Sequence, residues 1–380
     1  MNAWKNVSMI ASEALMHLED ALVISRLAAK DITAEFNARP NGYKVGSTVD
    51  VTTRPEYVTK EFSGTTEKQD IRQSSRQITI EKHYDISVGV GAKEKRLNMD
   101  GFSEQVIKPA AYKIAESIDR YMASKILDGA GLYASDTLLT TRADMAQARK
   151  TAILQQLNLG GRYAIVDLDL EATLLGADYF TTYDNRGSDG SAVFREAQMG
   201  HAMGLDWFSS INFNPDSTAH TPGNGTTTTD NTGGANLVGT KTLQVDSLTG
   251  TIQAGDRIEI AGVRRPLIAA AQAVATATTV TLVDEISEII PDGAAVTVVS
   301  SGNGPHTYRG AIFDNDSLAI AMPQLDPAED KPSMVISSNG FSLRVVQGYD
   351  MATKESMLSI DCLVGGMAHD NRRITLLGEY

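Results

Sequence analysis

Apolar side chains recur every third or fourth residue across positions 5–36, as Ile10, Ala14, Leu18, Ala21, Leu22, Ala28, Ala29 and Ile32. That spacing predicts one amphipathic helix, ended by Pro40 and the turn-forming pair Asn41-Gly42. A second stripe, Ile107, Ala111, Ile114, Ile118, Met122 and Ile126, predicts a helix over residues 103–127. Pro109 near its beginning implies a bend or a late true start, and Gly129 and Gly131 are suited to closing it. Between the two helices the period changes to two. Val49 and Val51 alternate on one side, and Ile78, Ile80, Tyr84, Ile86, Val88 and Val90 on the other, as in a hairpin of half-buried strands over residues 45–90.

The hairpin's distal part lacks the side chains of a core. Among the 26 residues 52–77 only Tyr57, Val58, Phe62 and Ile71 are large and apolar, whereas nine carry charge. Such a segment is either a solvated loop or an arm that gains hydrophobic cover only beside another molecule. On the second reading Arg54, Lys60, Glu61, Lys68, Arg72 and Arg76 are the candidate subunit-interface residues. The stripe of the first helix, rich in small residues such as Ala14, Ala21, Ala28 and Ala29, is likewise expected to dock on a neighbouring subunit.

Further along, a helix is predicted over residues 144–157, a buried strand over 162–167, and a helix from Asp169 whose first turn carries acid. Residues 214–234 contain no large apolar side chain and read as a linker, matched by a Gly/Pro stretch at 301–305. Short β-rich pieces separated by turn signals lie between them and predict a small inserted β-barrel over residues 222–305. The C-terminal part predicts two strands, around 342–349 and 355–364, joined by a turn.

At 380 residues the chain exceeds what one core usually supports, so at least two domains are expected. It has no apolar run of membrane-spanning length and no signal-like N-terminus, which favours folding in a cytoplasm. The net charge of −13 is unevenly placed: residues 1–130 balance 18 basic against 18 acidic side chains, and the remainder carries the whole excess. No basic stripe suits phosphate neutralisation, so direct nucleic-acid binding is not expected. Cys362 is the only cysteine and reads as a buried packing residue; a disulfide within the chain is excluded. None of the six histidines pair at metal-ligand spacing, and no phosphate-binding loop or nucleophile elbow is present. Asp167, Asp169 and Glu171 form the nearest carboxylate cluster, and at a strand-to-helix junction they read as capping groups. No catalytic residue, metal or cofactor is assigned.

The run Met9-Ile-Ala-Ser-Glu-Ala-Leu, the stretch Val49-Asp-Val-Thr-Thr-Arg-Pro-Glu, residues 78–90 and the helix opening Phe102-Ser-Glu-Gln-Val-Ile-Lys-Pro-Ala-Ala together resemble the coat proteins of short-tailed phages of the P-twenty-two type. These are tailed-phage major capsid proteins. The resemblance implies an α+β, Hong Kong 97-like fold: an N-terminal helical arm (1–40), an extended loop (41–95), a spine helix with peripheral domain (96–135), an axial domain (136–221), the inserted β-barrel (222–305), and the rest of the axial and peripheral domains (306–380). It further implies a structural, non-enzymatic subunit that self-assembles as pentamers and hexamers into an icosahedral head. Scaffolding protein and portal are the implied partners, with double-stranded DNA enclosed without sequence-specific binding. The implied location is the virion capsid, reached from the host cytoplasm, with no membrane. Two other readings are a virion decoration or carbohydrate-binding protein and a metabolic enzyme. The first would need clustered aromatics in the insertion, where residues 222–305 have none, and the second a pocket with convergent polar groups.

Overall fold

The computed structural model describes residues 3–33, 36, 46–52, 64, 75–91, 103–129, 132–133, 139, 141–154, 161–177, 199–213, 223–263, 266–283, 285–286, 288–298, 307–329, 331–351, 355–370 and 373–379. In chain order the elements begin with α1 (Ala3–Ala21), α2 (Ile24–Leu27), β1 (Thr48–Thr52), β2 (Ser75–Gly91), a π-helical turn (Ser103–Ile107) and α3 (Lys108–Gly129). There follow β3 (Leu132–Tyr133), α4 (Arg142–Leu154), β4 (Arg162–Val166), α5 (Leu168–Leu175), β5 (His201–Ala202) and β6 (Leu205–Ser209). Six short strands come next: β7 (Thr226–Thr228), β8 (Thr242–Gln244), β9 (Arg257–Ile260), β10 (Leu267–Ile268), β11 (Thr279–Thr281) and β12 (Ala295–Val298). The chain closes with β13 (Thr307–Asp314), β14 (Leu318–Ala321), β15 (Ser333–Ser338), β16 (Phe341–Asp350), β17 (Glu355–Ala368) and β18 (Thr375–Glu379). Contacts divide it into two compact units, residues 1–50, 77–125 and 318–368, and residues 51–76, 126–317 and 369–380.

The first unit is a sheet ordered β1-β2-β17-β16-β15, with β14 also paired to β17. Alternation gives it one apolar face, where Leu343, Val345, Ile360, Cys362 and Val364 are all buried. Helix α3 approaches β17 so closely that a Cβ on Gly366 would meet Met122 Sδ at 2.5 Å. Its stripe, Ala111, Ile114, Ile118 and Met122, is buried as the spacing predicts. The true α-helix starts late, at Lys108, after the π-helical turn. Pro109 lies in its first turn, where its missing N–H disrupts no α-helical bond.

Two expectations for the N-terminal segment are corrected. The helix does not run to residue 36: α1 ends at Ala21, and Ala29 instead forms a parallel bridge with Ala319. The break has a cause, since the Asp119 carboxylate accepts hydrogen bonds from the backbone nitrogens of Val23, Ile24 and Ser25, which a continuous helix would have used internally. Nor is the apolar stripe left for a neighbour. Val7, Ala11, Ala14, Leu15 and Leu18 are buried, and α1 packs on β15, β16 and the π-helical turn of its own unit.

The second unit contains a sheet ordered β3-β18-β13-β4-β6-β5. Central β4 lies antiparallel to β13 and parallel to β6, and Ala164, Ile165 and Val166 are fully buried there. Helices α4 and α5 contribute Met145, Ala148, Leu170 and Leu174 to a core shared with Trp207 and Leu377. A capping box begins α4: the Thr141 hydroxyl accepts from Asp144 N (3.2 Å) and the Asp144 carboxylate from Thr141 N (3.0 Å).

Residues 223–298 build a separate core from Leu243, Ile252, Ile258, Val280, Ile290, Val296 and their neighbours. The strands pair as β10-β9-β12-β7 and β11-β8, and the bridges Thr229↔Val245 and Ala269↔Leu282 join the two sets at both ends, so the pairings run in a ring.

Candidate assembly surface

Strand β2 follows the charged segment predicted to interact, and its own alternation decides which of its side chains face the core. Ile78 is buried, and Ile80, Tyr84, Ile86 and Val88 are half-buried, while Glu81, His83, Asp85 and Ser87 are exposed, the phase read from the sequence. From Ile80 to Gly91 the strand pairs antiparallel with β17. At its start it meets β1: Ile80 N donates to Ser47 O at 2.8 Å, and the Thr48 and Thr79 hydroxyls lie 3.2 Å apart.

The register shifts between Val364 and Gly365, so that Lys82 and Ile80 face consecutive residues of β17 and Glu81 is the extra residue of a bulge. Its side chain is put to use. Glu81 accepts from the Tyr121 hydroxyl (3.2 Å) and pairs with Lys125 (3.2 Å), while Gly366 N donates to that hydroxyl at 3.1 Å. Burial, above all, pushes the Tyr121 phenol well above its ordinary pKa, so it stays a neutral donor.

On the polar face a ladder of charge crosses three strands. Arg344 of β16 forks onto Asp361 of β17, Nε to Oδ1 at 3.0 Å and Nη2 to Oδ2 at 2.5 Å. His83 Nε2 of β2 lies 2.9 Å from the same Oδ2. One rung along, the Ser359 and Ser87 hydroxyls donate to Asp85 at 2.5 and 3.0 Å. Asp361 is only 5% exposed, and the bond to it raises the already high pKa of Arg344. The ladder ties β2 to β17 and β16 through side chains as well as through the backbone.

Of the candidate interface residues, Arg76 lies half-buried near the start of β2, whereas Arg54, Lys60, Glu61, Lys68 and Arg72 lie outside the described residues. The ladder was not among the candidates. Its signal was present as the polar phase of the same alternation, His83-x-Asp85-x-Ser87 against Ser359-x-Asp361, which reads as a solvated face until the strands are paired.

The carboxylates at the strand-to-helix junction act as the capping reading expects. Asp167 Oδ1 accepts from Leu170 N at 2.8 Å, and Arg309 reaches both Asp167 (3.1 Å) and Asp169 (2.5 Å). Cys362 is 1% exposed, and burial foremost pushes its thiol up to about 12, the behaviour of a packing residue. Among the described residues no three His, Cys, Asp or Glu side chains are grouped to hold a metal, and no helix is long and apolar enough to cross a membrane.

No family model matches the chain, and no curated protein matches its sequence. Solved structures do. A chain of Mycobacterium phage Che8 aligns with a TM-score of 0.51 at 11% identity, covering 94% of this chain and 90% of that one. The capsid structure of cyanophage P-SCSP1u gives 0.47 at 11% identity, covering 88% of this chain and 84% of its own. The asymmetric unit of the mature capsid of bacteriophage PhiM1 gives 0.46 at 10% identity, covering 88% and 82%. The likeness to the Che8 chain is one of fold, mixed helix and sheet, over nearly the whole length.

Proposed function

We propose that this protein is the major capsid subunit of a tailed double-stranded DNA phage, structural rather than catalytic, building an icosahedral head from copies of itself. The observation that carries the reading is the fold shared with a phage protein across 94% of the chain. The residue-level resemblance at positions 9–15, 49–56, 78–90 and 102–111 reaches the same family from the sequence alone.

Within that reading, the fold is Hong Kong 97-like and of the P-twenty-two type. Helix α3 is the spine helix, residues 41–95 are the extended loop, and residues 222–305 are the inserted β-barrel, for which the ring of strand pairings is the support. Pentamers and hexamers form beside a scaffolding protein and a portal in the host cytoplasm, and the finished shell encloses DNA without reading its sequence. Arg54, Lys60, Glu61, Lys68, Arg72 and Arg76 would make cross-subunit ion pairs, for which the bound base of β2 provides a fixed origin.

Electron microscopy of the protein expressed with its phage's scaffolding protein tests the reading. Shells of uniform diameter are expected, and protein that stays monomeric at high concentration would overturn it. Replacing Lys60, Lys68 and Arg72 by glutamate is expected to abolish shells while leaving the monomer's melting temperature nearly unchanged, since exposed pairs contribute about 0–1 kcal/mol each.

A further inference from the structure

The turn between β15 and β16 is two residues long. The ladder ends at Ser338↔Phe341, which leaves the Asn339–Gly340 peptide outside the strand pairing. Both residues have positive φ, 50° and 82°, as a two-residue hairpin of this type requires. A side chain at 340 is excluded twice, by that φ and by Lys30, whose Cβ would lie 2.7 Å from an added Cβ. Asparagine is thus followed by the one residue that places nothing over the next backbone nitrogen. Asn339 is exposed, beside an open recess of about 630 Å³ lined by Lys30, Thr33, Ser337 and Phe341, so water reaches it freely.

One contact restrains its side chain. Asn339 Nδ2 donates to Glu19 Oε2 on α1 at 3.0 Å, while the other oxygen of Glu19 is buried and has no hydrogen-bond partner among the described residues. We infer that Asn339 is a site of spontaneous deamidation, and that Glu19 sets its rate by holding the side-chain amide away from the Gly340 nitrogen. The Gly340 nitrogen, having lost its proton to solvent base, attacks Asn339 Cγ. The Cγ–Nδ2 bond then breaks and ammonia leaves, closing a five-membered imide. Water adds to either imide carbonyl and opens the ring, giving aspartate or, by cleavage on the other side, isoaspartate. In both products the amide that donated to Glu19 is lost, so the hydrogen bond tying α1 to the hairpin tip is broken; in the aspartate product a carboxylate takes its place and faces that of Glu19, whereas in isoaspartate Cγ has joined the main chain and the free carboxylate stands on Cα. The inference is independent of what the chain assembles into.

The test is timed peptide mapping by mass spectrometry of the intact folded protein at mildly alkaline pH, with isoaspartyl methyltransferase labelling. A synthetic peptide spanning residues 335–344 is run alongside, as are Glu19→Gln and Glu19→Ala. Conversion at Asn339 is expected in the folded protein, several-fold slower than in the peptide, and faster in both Glu19 variants while circular dichroism stays native. An intact Asn339 after the peptide has converted would overturn the site. Unchanged rates in both folded Glu19 variants would overturn the role of Glu19, and a branched peptide joining residues 30 and 339 would show that the amide has a different fate.

Discussion

Ser25 donates two hydrogen bonds to a single oxygen of Asp119, from its backbone nitrogen at 2.9 Å and from its hydroxyl at 2.7 Å. The other oxygen receives Val23 N at 2.8 Å and Ile24 N at 3.3 Å, so one carboxylate on α3 caps the whole start of α2. Its side chain thereby fixes where α1 stops and how the chain turns toward the bridge at Ala29.

Asp119→Ala is expected to be among the most destabilising single changes in the first unit. It removes the acceptor of two buried backbone donors, Ile24 N and Ser25 N, each costing about 1–3 kcal/mol when left unsatisfied, and of the half-buried Val23 N. Chemical denaturation of the wild type and the variant checks this. Asp119→Asn keeps one acceptor oxygen and is expected to lie between the two.

The same residue gives a pH dependence of definite sign. Burial, outweighing its four donors, holds the Asp119 pKa above the ordinary carboxylate value. The native state therefore keeps a proton that the unfolded state has released, and its contribution to stability falls as pH rises from the ordinary carboxylate value through the raised one. Unfolding free energies measured across that window should show a downward component that Asp119→Asn abolishes. An identical slope in the variant would refute the assignment.

What could be read from the sequence was local. The stripe of α3 and the alternation of β2 each follow from a periodicity that one element carries within itself, and both were legible. The end of α1 was not. Its cause lies 94–96 residues away in Asp119, whose own position on a predicted helix looks like any solvated acid. The Arg344–Asp361–His83 ladder was hidden for the same reason: polar residues on a strand read as facing water, and only the pairing of β2, β17 and β16 brings them together. The short strands of residues 223–298 were legible from their turn signals, whereas the closure of the ring rests on bridges outside the strands themselves.

Breaking the ladder should cost more than an exposed ion pair. Asp361 is nearly inaccessible, so Arg344→Ala leaves a carboxylate whose one remaining side-chain partner among the described residues is His83, a change on the order of 3–5 kcal/mol for a buried pair. Arg344→Lys rescues only part of it, because an ammonium cannot fork onto both oxygens. In a double-mutant cycle with Asp361→Asn the two losses should be far from additive.

Cys362 reports on the integrity of the same strand. A thiol raised to about 12 and 1% exposed has almost no thiolate and no path for a reagent at neutral pH. Labelling by an aromatic disulfide reagent is expected only as fast as β17 opens, and should become rapid in denaturant. Prompt stoichiometric labelling of the native protein would contradict its placement.

The burial of α1 decides what truncation should do. Val7, Ala11, Ala14, Leu15 and Leu18 are 0–3% exposed, and α1 packs against β15, β16 and the π-helical turn. Removing residues 1–21 would uncover this part of the sheet's apolar face and delete side chains whose full burial is worth about 1.5–3 kcal/mol each for valine or leucine. It would also take away Glu19, the acceptor of the Asn339 amide. The truncated chain is therefore expected to lose the cooperative unfolding of its first unit and to aggregate through the exposed sheet. Ala14→Asp, which places a charge at a fully buried position, should do the same without shortening the chain. Calorimetry of both variants distinguishes this from a role confined to assembly, in which the monomer would melt as the wild type does and only shell formation would fail.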